Sequence, residues 1–240
     1  DFTLHSFNQT TTVLRHIPFI AFDLFSFGCL DGVIQIPGTV FTLRIVHPNN
    51  PNDVITTQIF QLDDFITIGA PNTTTLLSSV PANQLLPAAQ AATMTQKIRI
   101  EGTLVIDQNY VFGFPPGGSM NNEIIMAPGA AIQVNGSYYL SFNKTRIHGC
   151  GNQWNRISVL PNALLAVYNN THISDAAVAI DLHDDSQLNM YRGFFSENDI
   201  AIGSFGTNQK NITLNFTSDP WGGHSVIRDG NEGIHFENVD

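Results

Sequence analysis

The sequence predicts an all-β fold, a parallel β-helix in which short strands wind through successive coils of a solenoid. One observation is repetition: residues 123–206 read as three successive turns of a single unit of short strands and polar turns. Another is register. Leu140, Leu165 and Leu188 lie 25 and 23 residues apart, with Ile212 or Leu214 next. Ile157, Ile180 and Ile202 are 23 and 22 apart, and Ile147, Ile173 and Phe195 are 26 and 22 apart. The last is alternation: the apolar residues fall as Ile-x-Val, Leu-x-Val and Ile-x-Leu, not at the three- and four-residue spacing of a helix. A repeat of about 23 residues built this way is the signature of a solenoid. Equivalent residues of successive coils then stack as interior ladders, because one coil cannot bury its own apolar face.

Taken in order, residues 1–95 form a β-rich segment ahead of the repeats, expected to act as an arm or a cap. It starts polar and Thr-rich around Asn8 and turns apolar at Ile17-Pro-Phe-Ile. Phe19, Phe22, Phe25 and Phe27 give a dense apolar strand signal, and Asp31-Gly32 marks a turn. Residues 33–46 read as strand, 47–53 as a loop, and 56–68 as strand broken at Asp63-Asp64. Residues 73–92, rich in Ser, Thr, Pro and Ala, read as a linker or a short irregular helix.

The β-helix is expected over 96–240. Residues 97–107 open it, and Phe114-Pro-Pro-Gly-Gly is a loop between coils. One coil runs from Ile124 through Tyr138, Tyr139 and Ile147. The next runs from Trp154 through Leu165 to Ile173, and another from Val178 through Leu188 to Phe195. Beyond an insertion, Ile212, Leu214 and Phe216 alternate, and 226–229 and 233–239 resume the strand pattern. The sequence thus stops on a strand with no polar capping element. Solenoids need capped ends, and open strand edges recruit another chain. Either a longer parent chain or the next subunit is expected to supply the cap.

Charged residues make up 12% of the 240, about half the usual share. Asn, Thr and Ser carry the polarity instead, which suits strands and tight turns. The net charge is −10 and the ten basic residues are scattered along the sequence, so no basic stripe points to nucleic acid. Residues 17–30, the most apolar early run, contain Asp23 and are too short to span a bilayer. No charged and apolar leader precedes Asp1, so the chain reads as mature or trimmed. Cys29 and Cys150 read either as one disulfide, permitted in an exported protein, or as two buried thiols.

No catalytic group, metal site or cofactor is expected. The strongest enzyme candidate is Asp181, His183, Asp184 and Asp185, with His224 and Arg228. Paired carboxylates can serve as acid and base on a glycosidic bond. Asp184-Asp185-Ser186, however, falls where the preceding coil carries Pro161-Asn162-Ala163, a turn position that Asp favours. The eight histidines lack metal spacing, and His148 reads as a coil-corner residue. Trp154, Trp221, Tyr138, Tyr139, Tyr168 and Tyr191 offer either a carbohydrate-stacking face or ordinary aromatic packing. Seven Asn-x-Ser/Thr sequons, at Asn8, Asn72, Asn135, Asn143, Asn169, Asn211 and Asn215, are candidate glycosylation sites in an exported protein.

The runs Glu123-Ile-Ile-Met-Ala-Pro-Gly-Ala-Ala-Ile-Gln-Val, Ile147-His-Gly-Cys-Gly and Asp175-Ala-Ala-Val-Ala-Ile resemble the right-handed β-helix repeats of large secreted surface proteins from gliding environmental bacteria. The resemblance extends from Lys97 to the end of the sequence, and such repeats are similar in architecture to the pectate-lyase-type β-helix. It implies a right-handed, single-stranded parallel β-helix, export and surface display, and it brings no catalytic motif. The expected function is that of an extracellular structural protein, a β-helix subunit that joins copies of itself head to tail into a cell-surface fibre. Phe19, Phe22, Phe25 and Phe27 would be buried at the joint or in the monomer's own cap. The alternative is a monomeric adhesin or carbohydrate-binding module with glycans as partner. A polysaccharide lyase or glycosidase is the third reading. Neither nucleic acid nor a membrane span is expected.

Overall fold

The computed structural model describes backbone over residues 2–6, 10–13, 29–30, 33–34, 40–47 and 50–61, and side chains as well over 65–94, 96–113, 122–149, 153–205, 211–217, 224–228 and 230–237. Phe19, Phe22, Phe25, Phe27, Asn8 and Cys150 lie outside the described residues, as does the side chain of Cys29.

The chain divides into two compact units, 1–65 and 66–240. In the first, Phe2–Ser6 lies between Thr10–Val13 and Val40–His47, and Asn50–Gln61 pairs on the outer side of Val40–His47, all antiparallel. Cys29–Leu30 and Val33–Ile34 form a separate short antiparallel pair around Asp31-Gly32. The stretch 47–53, expected as a loop, is largely strand: His47 already pairs with Asn50.

The second unit is a parallel β-solenoid of about five coils. Each coil lays one strand on each of three faces. The first face stacks the front half of Lys97–Ile106, then Asn122–Met126, Thr145–Gly149, His172–Ser174, Phe194–Ser196 and Val226–Arg228. The second stacks the rear half of Lys97–Ile106, then Ala131–Val134, Trp154–Val159, Ala176–Leu182, Ile200–Ser204 and Glu232–Phe236. The third stacks Tyr110–Phe112, Tyr139–Asn143, Leu164–Tyr168, Gln187–Tyr191 and Thr213–Phe216.

Alternation turns every second side chain inward, and the pairing register stacks those side chains as the spacing predicts. Tyr110, Leu140, Leu165, Leu188 and Leu214 form one interior ladder. Ile132, Ile157, Ile180 and Ile202 form a second, and Ile124, Ile147, Ile173 and Phe195 a third. From Leu140 to Phe195 the ladder residues are fully buried. Each buried side chain of this size contributes about 1.5–3 kcal/mol, so the ladders are a large part of the favourable energy.

The corners are built from residues in the left-handed region, where Asn, Asp and Gly cost least. Between the second and third faces, Ser137, Asn162 and Asp185 (φ 70°, 64° and 53°) stack coil upon coil. Ser137 N–H donates to the Asn162 carbonyl and Asn162 N–H to the Asp185 carbonyl, each at 3.1 Å. Lys144, Asn169 and Arg192 take the same conformation between the third face and the first, and Asp175 and Glu197 between the first and second. Gly102 (φ 74°) bends the long strand Lys97–Ile106 from face to face; a Cβ there would lie 2.4 Å from the carbonyl oxygens of Ala70 and Thr73.

The solenoid begins earlier than expected. Ile66–Leu76 pairs in parallel with Lys97–Ile106 along both of its faces. Of residues 73–92, expected as a linker or short irregular helix, 73–76 are strand; residues 77–94 then contain a 3₁₀ turn at Leu77–Ser79 and a one-turn helix at Ala88–Ala91. They occupy the place of a third-face strand: Gly113 N–H donates to the Ala91 carbonyl, and the Tyr110 hydroxyl to the Leu86 carbonyl, both at 2.8 Å. Leu77, Leu85 and Ala91 plug the interior there. These three stand scattered in a Pro- and Ala-rich stretch, and with Ile66–Leu76 paired into the solenoid the division falls at 65 instead of the expected 95.

Candidate functional site

The carboxylates of the enzyme candidate are dispersed. Asp181 points outward on the second face, where Arg156 Nη1 lies 2.8 Å from its Oδ2 and His183 Nε2 lies 3.6 Å away. Burial pushes the Asp181 carboxyl up, but the bonds from His183 and Arg156 outweigh it and hold the pKa below the usual value. Asp184 and Asp185 sit exposed at the next corner. Asp184 Oδ1 accepts from the Asn211 N–H at 2.8 Å, and Asp185 supplies its carbonyl to the corner stack. Arg228 is on the first face, its guanidinium 4.6 Å from the Phe194 ring centre. Among the described residues no three His, Cys, Asp or Glu side chains are grouped as metal ligands. No helix among them is long and apolar enough to cross a membrane.

What the solenoid does gather is charge on the first face. Lys97, Glu123, Arg146 and His172 fall in one outward row, and Arg99, His148 and Arg228 in the adjacent one. Register thus brings basic residues scattered in sequence onto one face, with Arg146 paired directly to His172. His148 is not a corner residue: it lies within Thr145–Gly149, buried, with Nδ1 3.1 Å from the Gly149 carbonyl and Nε2 3.1 Å from Glu123 Oε1. His172 Nε2 lies 2.8 Å from Ser196 Oγ. Burial, with Arg146, His148 and Arg228 nearby, pushes its pKa down to about 4.

The third face is different. Its outward residues are Tyr139, Ser141 and Asn143, then Leu164, Ala166 and Tyr168, then Gln187, Asn189 and Tyr191, with Thr213 and Asn215 beyond. None carries a charge. Asn189 Oδ1 accepts from Gln187 Nε2 at 3.0 Å and from Asn215 Nδ2 at 2.8 Å, and Asn169 Nδ2 donates to Asn143 Oδ1 at 2.8 Å. Trp154, by contrast, is fully buried and donates its indole N–H to the Ser174 carbonyl. Of the sequons, Asn72, Asn211 and Asn215 are exposed, and Asn135, Asn143 and Asn169 are half-buried.

Both ends of the solenoid carry open strand edges. At the first coil the outer strand Ile66–Leu76 is largely exposed, pairs only with Lys97–Ile106 among the described residues, and leaves Ile66 38% and Leu76 45% exposed; Pro71 removes one edge donor. At the last coil, Thr213–Phe216, Val226–Arg228 and Glu232–Phe236 each pair on one side only among the described residues. Phe216, Val226 and Ile234 are 48%, 41% and 51% exposed. A cavity of about 280 Å³ opens among Met190, Phe216, Thr217, His224, Ser225 and Ile227, where the interior reaches the last coil. Periodicity could point to Phe216 and Ile234, since they continue interior ladders, whereas Val226 continues the outward row of His172 and Phe194; the exposure of all three is a property of the fold.

Comparison with family models, curated proteins and solved structures finds no match to this chain.

Proposed function

We propose that this chain is an extracellular structural protein, a β-solenoid subunit that joins copies of itself end to end into a cell-surface fibre. The observation that carries the reading is the last described coil: three strands that pair on one side only among the described residues, and the half-exposed Phe216 and Ile234, which continue interior ladders. Such an end is suited to β-augmentation, in which main-chain hydrogen bonds give affinity and apolar pockets give register. A head-to-tail contact of this kind does not close and generates a filament. The likeness of the coils to repeats of secreted surface proteins, the low charge content and the sequons support an exported, surface-displayed chain.

Magnitudes say what the joint needs. Burying the rest of Phe216, Val226 and Ile234 contributes about 1 kcal/mol each. Association itself costs at least about 4 kcal/mol in lost rigid-body freedom. The apolar contacts alone do not suffice, so the joint also draws on strand pairing, with residues 1–30 of the next copy as the donor and Phe19, Phe22, Phe25 and Phe27 in the contact.

Electron microscopy and sedimentation velocity of the full chain test this, with a variant lacking residues 1–20 and an Ile234→Asp variant alongside. Regular filaments that disappear in both variants are expected. Dispersed monomers of the full chain at every concentration overturn the reading, as do filaments that persist in both variants.

A further inference from the structure

We propose that the outward side of the third face is a binding groove for a neutral polysaccharide strand lying along the solenoid axis. The inference does not depend on end-to-end association, since it concerns the flank of the solenoid and not its last coil.

The groove follows from the register. Ser141 and Ala166 point outward yet are 2% and 0% exposed, so they form a floor below taller neighbours. Tyr139, Leu164 and Gln187 make one wall; Asn143, Tyr168 and Tyr191 make the other. Because strands of adjacent coils stand about 4.8 Å apart, the walls run across the strands, parallel to the axis. Four of the five tyrosines belong to this face or its rim: Tyr139, Tyr168 and Tyr191 are half-buried, and Tyr138 is 37% exposed at the corner just before the face. A tyrosine partly set into a wall offers a ring surface and a hydroxyl together, which suits a ligand with apolar C–H faces and many hydroxyls.

The amides add directional contacts. Gln187 and Asn215 both donate to Asn189 Oδ1, which fixes the Asn189 side chain. Its NH2 group has no partner among the described residues and stands at the groove floor, available to ligand hydroxyls. Asn143 is held in the same way, by Asn169. Donors whose orientation is set before binding lose less freedom on binding.

Charge selects the ligand class. The outward residues of this face are uncharged, whereas the first face carries Lys97, Arg99, Glu123, Arg146 and Arg228, and the second carries Arg156 and Asp181. Lys144 and Arg192 lie beyond the wall, at the corner, with Arg192 Cζ 5.7 Å from the Tyr191 ring. A chain of net charge −10 also repels an acidic polysaccharide at long range. A neutral glycan avoids that repulsion and meets rings and amides instead.

Native-gel affinity electrophoresis of the full chain tests the proposal, in gels carrying dextran, galactomannan or a soluble β-glucan, and in others carrying alginate or polygalacturonate. Retardation is expected in at least one neutral gel and in neither acidic gel. Tyr168→Ala with Tyr191→Ala should weaken that retardation about fivefold or more. Asn189→Ala should weaken it as well, and Tyr191→Phe should largely keep it. A thermal melt of each variant checks that the coils are intact, and Asn189→Ala provides the reading if the double tyrosine variant unfolds. Failure of every neutral gel overturns the proposal. So does equal retardation of the folded variants, or stronger retardation by the acidic polymers.

Discussion

His172 carries the clearest single-residue consequence. Its ring is half-buried against Phe194, whose centroid is 4.7 Å away, and its Nε2 meets Ser196 Oγ. Burial and the neighbouring cations hold its pKa near 4, against an ordinary 6.5. Between those two values the unfolded chain binds more protons than the folded one. Stability from this residue is therefore complete above about pH 6.5 and is lost as the pH falls toward 4. Asp181 adds to this at lower pH, because its depressed pKa contributes stability that disappears only as the carboxylate protonates. Urea titrations at pH 7, 5.5 and 4.5 should show a falling midpoint, and His172→Gln should flatten the decline. A variant that declines in parallel with the wild-type chain removes His172 as the cause. The residue scale is also where sequence reasoning divides. The turn role of Asp185 was legible, because it aligns with Asn162 and Asp tolerates a positive φ. The pairing of His148 with Glu123 was not, because it runs diagonally between adjacent coils, two positions off the register that sets Glu123 beside Arg146 and Ile125 beside His148.

At the scale of the strand, the ladders make the coils interdependent. Leu165 is fully buried between Leu140 and Leu188, with a neighbour on each side. Leu214 pairs with Leu188 but has no further coil stacked on it among the described residues and is only partly buried. Leu165→Ala should cost about 2–5 kcal/mol through lost transfer energy and the cavity left behind. Leu214→Ala should cost less than half as much, and chemical denaturation monitored by far-UV circular dichroism measures both. Equal losses would mean that the last coil is as tightly enclosed as the middle ones. The ladders were readable in the sequence because a solenoid repeats each environment, so Leu, Ile and Phe recur at nearly fixed intervals. The covering segment over residues 77–94 was not, since Leu77, Leu85 and Ala91 fill a unique place and leave no period to detect. The outward rows were equally hidden. Tyr168 and Tyr191 are 23 residues apart, but only the pairing Tyr168↔Tyr191 shows that they share a wall.

For the solenoid as a whole, the difference between its ends has a measurable signature. Nearest-neighbour stacking means that each coil is stabilised by those above and below it, so an end coil lacks half of that support unless something replaces it. The coil over 97–112 has that support in full: Ile66–Leu76 pairs along two of its faces and residues 77–94 cover the third, with a buried plug and hydrogen bonds to Tyr110 and Gly113. At the last coil Phe216, Val226 and Ile234 are left half exposed. Local opening should therefore be easiest there. Amide hydrogen exchange on the dilute chain should find strong protection in Tyr110–Phe112, Leu164–Tyr168 and Ala176–Leu182, and the weakest in Thr213–Phe216 and Val226–Arg228. If copies of the chain add to this end, protection of those two weak strands should rise with protein concentration, while that of Leu164–Tyr168 should stay constant. Protection equal at both ends of the dilute solenoid would deny residues 77–94 a capping role. A concentration-independent pattern would separate an open end that is merely frayed from one that is a joint.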